Sequence, residues 1–200
     1  MWAGRTLSVD FRASRDGLPF GNVWPEGAAV RVQKRALGRV YGGLCGGMVH
    51  VTRERWLAGE PLPASASPED PGLVDELVAG QIESLHLPGG PLRYLALQLP
   101  HRITARRRST ARTLAAVRSD LVSGRPSVVG LLRLLSWNPA ALAKHHVVLA
   151  HAMREDPDET VLSVYDPNHP GDDHIRLTVN ADSTIATNRT DPPPRALLDF

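Results

Sequence analysis

The stretch His145-His146-Val147-Val148-Leu149-Ala150-His151-Ala152-Met153 decides how this chain is read. It is aliphatic and β-branched, too short for a typical helix, and reads as a strand over 145–153. Three more extended runs follow at short intervals: Thr160–Tyr165, His174–Val179 and Ser183–Thr187. Between them lie Glu155-Asp156-Pro157-Asp158, Pro167–Asp172 and Asn180-Ala181-Asp182, all turn chemistry. Connections that short join only antiparallel neighbours, so the last quarter of the chain is predicted to be an antiparallel meander.

Upstream the period changes from two to about 3.6. A helix is predicted from Cys45 to Ala58, stopped by Gly59, with Met48, Val49, Thr52 and Trp56 near one face. Asp70-Pro71 provides a cap and a first helical residue for a helix to about Leu87, striped by Leu73, Leu77, Val78, Ile82 and Leu85. Pro88-Gly89-Gly90-Pro91 breaks it, and a short helix over 92–98 follows. Ser109 is placed to cap a further helix through Val122, and Ser127–Leu135 reads as a buried strand. Helices first and strands last argue for α+β architecture, with N-terminal helices packed on a C-terminal antiparallel sheet. One domain is expected over 1–200: an irregular arm over 1–44 with extended pieces at Leu7–Phe11 and Ala29–Val32, a mainly helical part over 45–123, a mainly stranded part over 127–188, and an extended tail over 189–200 in which Asp191-Pro192-Pro193-Pro194 is read as peripheral.

At 200 residues, with 42% hydrophobic and 22% charged residues, the composition is that of a globular protein. A formal net charge of +2 does not point to nucleic acid. A single cysteine excludes an internal disulfide framework and a Cys-rich zinc site. No signal peptide and no apolar run able to span a bilayer are visible, so a cytoplasmic location is the default expectation, with signal-independent secretion left open.

That single cysteine, in Tyr41-Gly42-Gly43-Leu44-Cys45-Gly46-Gly47-Met48, falls among glycines at a predicted helix N-terminus. Backbone N–H groups and the helix dipole there favour thiolate over thiol, the setting a nucleophile needs. About 100 residues on, His146 opens a strand, and Asp166 follows the next one in Tyr165-Asp166-Pro167-Asn168. If the two strands pair antiparallel, His146 and Asp166 become neighbours at one sheet edge, and a helix packed on the sheet can deliver Cys45 to them. Cys45 as nucleophile, His146 as base and Asp166 as orienting group form the arrangement that nucleophilic catalysis requires. His145 is the alternative base; alternation allows only one of the two to reach the thiol, and His146 is preferred because Val148 and Ala150 share its face. Asn168 is an alternative orienting residue.

This order, Cys at a helix start, His at a strand start, Asp after the next strand, resembles the papain-like cysteine peptidases. It looks like the bacteriocin-processing peptidase domains of ABC transporters, and more closely like a group of uncharacterised bacterial papain-like proteins. The resemblance rests on Gly43–Met48, Gly124–Leu131, His146–Ala150 and Tyr165–Gly171, with Asp16-Gly17-Leu18-Pro19-Phe20-Gly21-Asn22 as a degraded N-terminal motif, and so spans most of the chain. It implies a papain-like fold, a thiol-dependent hydrolase for a peptide, isopeptide or related acyl bond, a peptide or protein substrate, no cofactor, and Cys45, His146 and Asp166 as triad. One position departs from the family. The glutamine that usually lies about six residues before the nucleophile and helps hold the oxyanion is replaced by Arg39. Gln33 and Asn22 are the substitutes on offer. An inactive papain-like scaffold used as a binding or effector-associated module, or an acyltransferase using the same triad, therefore stays open.

Plainer readings compete for each feature. A lone cysteine can be a small core hydrophobe, and Asp166-Pro167-Asn168 can be only a turn. Arg102, Arg106, Arg107, Arg108 and Arg112 are read as a solvated loop and helix start, or as a site for an acidic partner centred on Arg106, Arg107 and Arg108; without interleaved aromatics they do not make a base-stacking surface. His169, Asp172, Asp173 and His174 cluster in one loop but lack a recognised ligand spacing, so no metal is expected.

Overall fold

The computed structural model describes residues 4–24, 29–32, 35–39, 43–63, 65–84, 89–189 and 193–199, with the backbone alone for 29–32 and 35–39. The architecture is α+β. A short strand β1 (Arg5–Ser8) leads to a single helical turn α1 (Ala13–Asp16) and a two-stranded hairpin, β2 (Ala29–Val32) with β3 (Arg35–Arg39). Four helices follow: α2 (Cys45–Ala58), α3 (Pro71–Ser84), α4 (Gly89–Gln98) and α5 (Ile103–Val122). The remaining strands are β4 (Ser127–Leu132), β5 (His146–Glu155), β6 (Glu159–Tyr165), β7 (Arg176–Asn180), β8 (Ile185–Thr187) and β9 (Ala196–Asp199), with a 3-10 turn over Pro139–Lys144 before β5.

The main sheet runs β8-β7-β6-β5-β4-β9, every pairing antiparallel. β5 is its longest strand and organises it. Its first half, His146–Ala150, pairs with β4, and its second half, Ala152–Glu155, pairs with β1. A bulge between Ala150 and Ala152 interrupts the ladder to β6.

Alternation along β5 divides the core. Val148 and Ala150 join Val117 and Leu121 of α5, together with Leu162, Val164, Leu177 and Leu197, on one face. Val147 and Leu149 pack on the other face with Val49 of α2, Phe11 and Tyr165. The sheet is therefore covered on both sides, as a strand apolar at successive positions requires. A third cluster joins α2 to α3 through Met48, Val51, Leu73, Leu77 and Val78.

Three expectations are corrected. The tail over 189–200 is more than an extended end: Ala196-Leu197-Leu198 is buried in β9, paired to β4 with Leu197 opposite Leu131, because β4 needs a second neighbour and this apolar triplet supplies it. Ser109 does not cap α5, which begins at Ile103; it lies inside the helix and its hydroxyl donates to the Leu197 carbonyl at 2.8 Å, while Thr110 Oγ1 accepts from Leu197 N–H at 3.1 Å. Arg106, placed in a solvated cluster, is buried one turn into α5. Its guanidinium donates to the carbonyls of Leu97, Leu99 and Pro100, satisfying the open C-terminal end of α4. The other members of that cluster, Arg102, Arg107, Arg108 and Arg112, are exposed. The N-terminal arm is also more regular than expected, since β1 extends the main sheet.

Candidate active site

The N-terminus of α2 is built by its neighbours rather than by its own side chains, since Leu44 at the cap position offers none. The Leu44 N–H donates to Asn22 Oδ1 at 2.7 Å, and the Gly47 N–H donates to Gln81 Oε1 of α3 at 2.9 Å. Gly43 adopts φ +93°, and a Cβ there would meet the Asn22 carboxamide at 2.5 Å. A Cβ on Gly47 would stand 1.9 Å from the Leu77 carbonyl oxygen. Gly47, two residues after the thiol, thus lets two helices cross at backbone contact. Cys45 opens α2 at 8% exposure, its side chain packed with Val49, Val147, Leu149 and Tyr165.

His146 opens β5 and Asp166 follows β6 directly. Tyr165 pairs with Leu149, so the chain beyond it runs on toward the start of β5. The His146 Nε2–H donates to Asp166 Oδ1 at 2.6 Å, with both side chains almost fully buried. The same Oδ1 accepts from the Asn168 N–H at 2.8 Å, closing an Asx turn that fixes the carboxylate. With Nε2 committed, Nδ1 is the nitrogen left for the Cys45 thiol, which lies close enough for thiol and imidazole to shift each other's protonation. The structure brings Cys45, His146 and Asp166 together. Face-sharing with Val148 and Ala150 does not explain the meeting, because the thiol packs with the alternate set, Val147 and Leu149. The contact forms at the sheet's end, where a strand and a helix both begin.

Protonation in this cluster is coupled. Burial alone would neutralise every member. For Cys45 it is outweighed by the hydrogen bond and charge of His146 and by backbone N–H groups of Val147 and Gly46, and the thiol falls below its ordinary value. For His146 burial is outweighed by hydrogen bonds to Asp166 and Cys45, and the imidazole rises to about 10. Asp166 is lowered against burial by its hydrogen bond to His146. All three shifts run toward the charged forms, thiolate, imidazolium and carboxylate.

His145 is not available as the base. Its ring stacks on Tyr94 with centroids 5.0 Å apart, Nδ1 accepts from the Arg133 N–H at 3.3 Å and Nε2 meets Gln98 Oε1 at 3.2 Å. Burial and then the charge of Arg133 push it down to about 4. His151, at the β5 bulge, is likewise lowered to about 4, by burial and then by Arg176.

Asn22 stands at the start of α2, against the residue before Cys45. Its Oδ1 takes the Leu44 N–H and the Trp24 indole N–H, the latter at 3.0 Å, which turns Nδ2 the other way, toward Asn168 Oδ1 at 3.3 Å. Asn168 therefore meets Asn22, and the carboxylate that holds His146 is Asp166. Gln33 lies outside the described residues, and Arg39 is described only as the last backbone position of β3. A cleft of about 500 Å³ opens here, lined by Asn22, Arg133, Lys144, His145, His146 and Asn168 among others. Gln81, Arg133 and Lys144 were not among the residues picked out from sequence; a glutamine inside the apolar stripe of α3 was the one available signal.

In the loop after Asp166, Asp172 pairs with Arg189 at 3.1 Å and Asp173 accepts from the Ser14 N–H at 3.0 Å, so these carboxylates brace the loop. Among the described residues no group of three or more His, Cys, Asp or Glu side chains is arranged to hold a metal ion, and no helix is long and apolar enough to cross a membrane. Comparison with family models, curated proteins and solved structures returned no match.

Proposed function

We propose that this protein is a papain-like thiol hydrolase acting on a peptide, isopeptide or related acyl bond. One observation carries the reading: a buried imidazole holds a carboxylate with Nε2 at 2.6 Å and interacts with the sole thiol closely enough that each shifts the other's protonation. The Cys45 thiolate attacks the carbonyl carbon, forming a C–S bond and an oxyanion. The Cys45 N–H and Asn22 Nδ2 are the donors assigned to that oxyanion, the second replacing the family's missing glutamine. As the intermediate collapses, the His146 imidazolium gives its proton to the leaving amine and the C–N bond breaks. Water then attacks the thioester, His146 takes its proton, and the thiolate departs with the acid product. Asp166 holds the ring and stabilises its cation throughout.

Alkylation by iodoacetamide at pH 5.5, followed by mass spectrometry on Cys45, tests this. The expected result is a rate well above that of free cysteine and lost in His146→Ala. A rate equal to the free thiol in both proteins removes the reading.

The 8% exposure of Cys45 favours a second reading, a papain-like scaffold that binds without turnover. Trapping a covalent acyl-thioester on Cys45 with any activated peptide ester eliminates it. An acyltransferase shares every step to the thioester and differs in the nucleophile that resolves it.

A further inference from the structure

We infer that the cleft beside His146 is a carboxylate subsite, and that the proposed thiol chemistry acts on a peptide bearing an acidic residue beside the scissile bond. Two cations reach this cleft from different elements. Arg133 follows directly on β4, and Lys144 ends the 3-10 turn two residues before His146. The chain has only two lysines, Lys34 and Lys144.

The charge balance of the cleft is one-sided. Among its described lining residues there is no carboxylate; the other polar groups near the reacting atoms are the carboxamides of Asn22 and Asn168. Asp166 is fully buried beneath His146 and its charge is met by the imidazolium. Whichever of the two holds the shared proton, the thiol–imidazole pair carries no net charge. His145, held near 4, adds no charge at neutral pH.

Elsewhere on the described surface, half a dozen cations are neutralised within the chain. Arg15, Arg53, Arg55, Arg118, Arg125 and Arg154 each pair with a carboxylate of the same chain, whereas exposed arginines such as Arg5, Arg107, Arg108 and Arg112 lie away from the cleft beside His146. Lys144 is exposed and makes no ion pair among the described residues. A cation left over at the mouth of a cleft, beside a half-buried guanidinium and two carboxamides, matches a ligand with an anionic group and flanking amides. An acidic peptide has both. Its carboxylate would lie between Lys144 and Arg133, with its backbone amides against Asn22 and Asn168, which places a neighbouring carbonyl toward His146 and Cys45.

The inference rests on the proposed thiol chemistry only for what happens after binding, so it is tested without turnover. The full chain carrying Cys45→Ser is titrated, by fluorescence anisotropy, into fluorescein-labelled Gly-Glu-Glu-Gly amide and Gly-Gln-Gln-Gly amide. The Glu peptide is expected to bind about tenfold more tightly, the scale of one charge-assisted contact, and the preference to shrink at high salt. Lys144→Gln, an exposed substitution that spares the fold, is expected to reduce the preference below about threefold. Arg5→Gln, at an exposed position on β1, is expected to leave it intact. A Gln peptide with a free C-terminal carboxylate separates the two sources of charge: binding as tight as the Glu amide assigns the subsite to a chain terminus, and weaker binding assigns it to an acidic side chain. Equal curves for the Glu and Gln amides, or a preference untouched by Lys144→Gln, overturn the inference. Fast Cys45 alkylation with no acidic preference removes the subsite alone; the acidic preference with a sluggish thiol removes the hydrolase reading alone.

Discussion

His145 and His146 are adjacent in the chain, yet the structure puts them in opposite surroundings. His146 lies between a thiol and a carboxylate and is raised to about 10. His145 lies between an aromatic ring, a carboxamide and an arginine and is lowered to about 4. Both are substantially buried, so desolvation acts against the cation in each. What separates them is the sign of the neighbouring charge: acidic partners on one side, Arg133 on the other. Identical side chains one residue apart are thereby pushed in opposite directions, one toward the cation and one toward the neutral ring.

The largest way to break this contrast is to remove each ring in turn. His146→Ala is expected to slow iodoacetamide alkylation of Cys45 at pH 5.5 by about 10²-fold or more, the scale of a lost acid–base partner. His145→Gln is expected to change it by less than about threefold. The pH profile sharpens the same point. With Cys45 lowered and His146 raised, wild-type alkylation is expected to be already fast below pH 7, with no step at the ordinary thiol value and a change only near 10, where the imidazolium loses its proton. Equal losses in the two variants would assign the thiol's activation to both histidines and erase the distinction.

Asp166→Asn asks how much of the contrast comes from the carboxylate. The carboxamide can keep a hydrogen bond to the ring but not the charge. The alkylation rate is expected to fall by about tenfold, and the alkaline limit near 10 to move toward the ordinary imidazole range. An unchanged alkaline limit would place the source of the raised imidazole in Cys45 alone.

The meander was legible because its strands are short, apolar and separated by turn residues, and because antiparallel pairing of β5 with β6 follows from their connection. From that pairing the meeting of His146 and Asp166 follows almost directly. What sequence did not reveal comes from contacts between distant segments. Nothing local marks Ala196-Leu197-Leu198 as a core strand; only the open edge of β4 does. Nothing local tells that Arg106 turns inward to cap α4 while Arg107 turns out. The glycines around Cys45 read as freedom for the backbone, whereas Gly47 answers a helix crossing whose partner, Leu77, lies thirty residues on. The choice of His146 over His145 rested on strand alternation, but the thiol is met around the end of the strand, where alternation does not govern.

That crossing offers a third test, on stability. In Gly47→Ala the new methyl would lie 1.9 Å from the Leu77 carbonyl oxygen, so α2 and α3 must separate. Overpacking of this kind costs about 1–3 kcal/mol, read from the urea midpoint. Because α2 carries Cys45, the alkylation advantage is expected to fall with it. A loss of stability with full reactivity would show that Cys45 is held by β5 and Asn22 rather than by α3.

The smallest effect lies on the His145 side, in the pH dependence of folding. His145 and His151 are lowered to about 4 in the fold, against an ordinary value of 6.5. Both are neutral in the native state while the unfolded chain takes up protons below 6.5, so they withdraw stability as pH falls from 6.5 toward 4. His146 runs the other way: its raised value gives stability that is complete below 6.5 and is lost as pH climbs toward 10. Thermal unfolding at pH 7 and pH 5 separates these contributions, because acidification through that interval engages the lowered pair and leaves His146 protonated in the fold. His145→Gln keeps a polar group near Gln98 and the Arg133 N–H but cannot titrate. It is expected to narrow the difference in Tm between the two pH values by about 2–4 °C, while leaving the alkylation rate near wild type. A wider difference would mean that His145 is charged in the fold, and that the two faces of β5 are electrostatically alike.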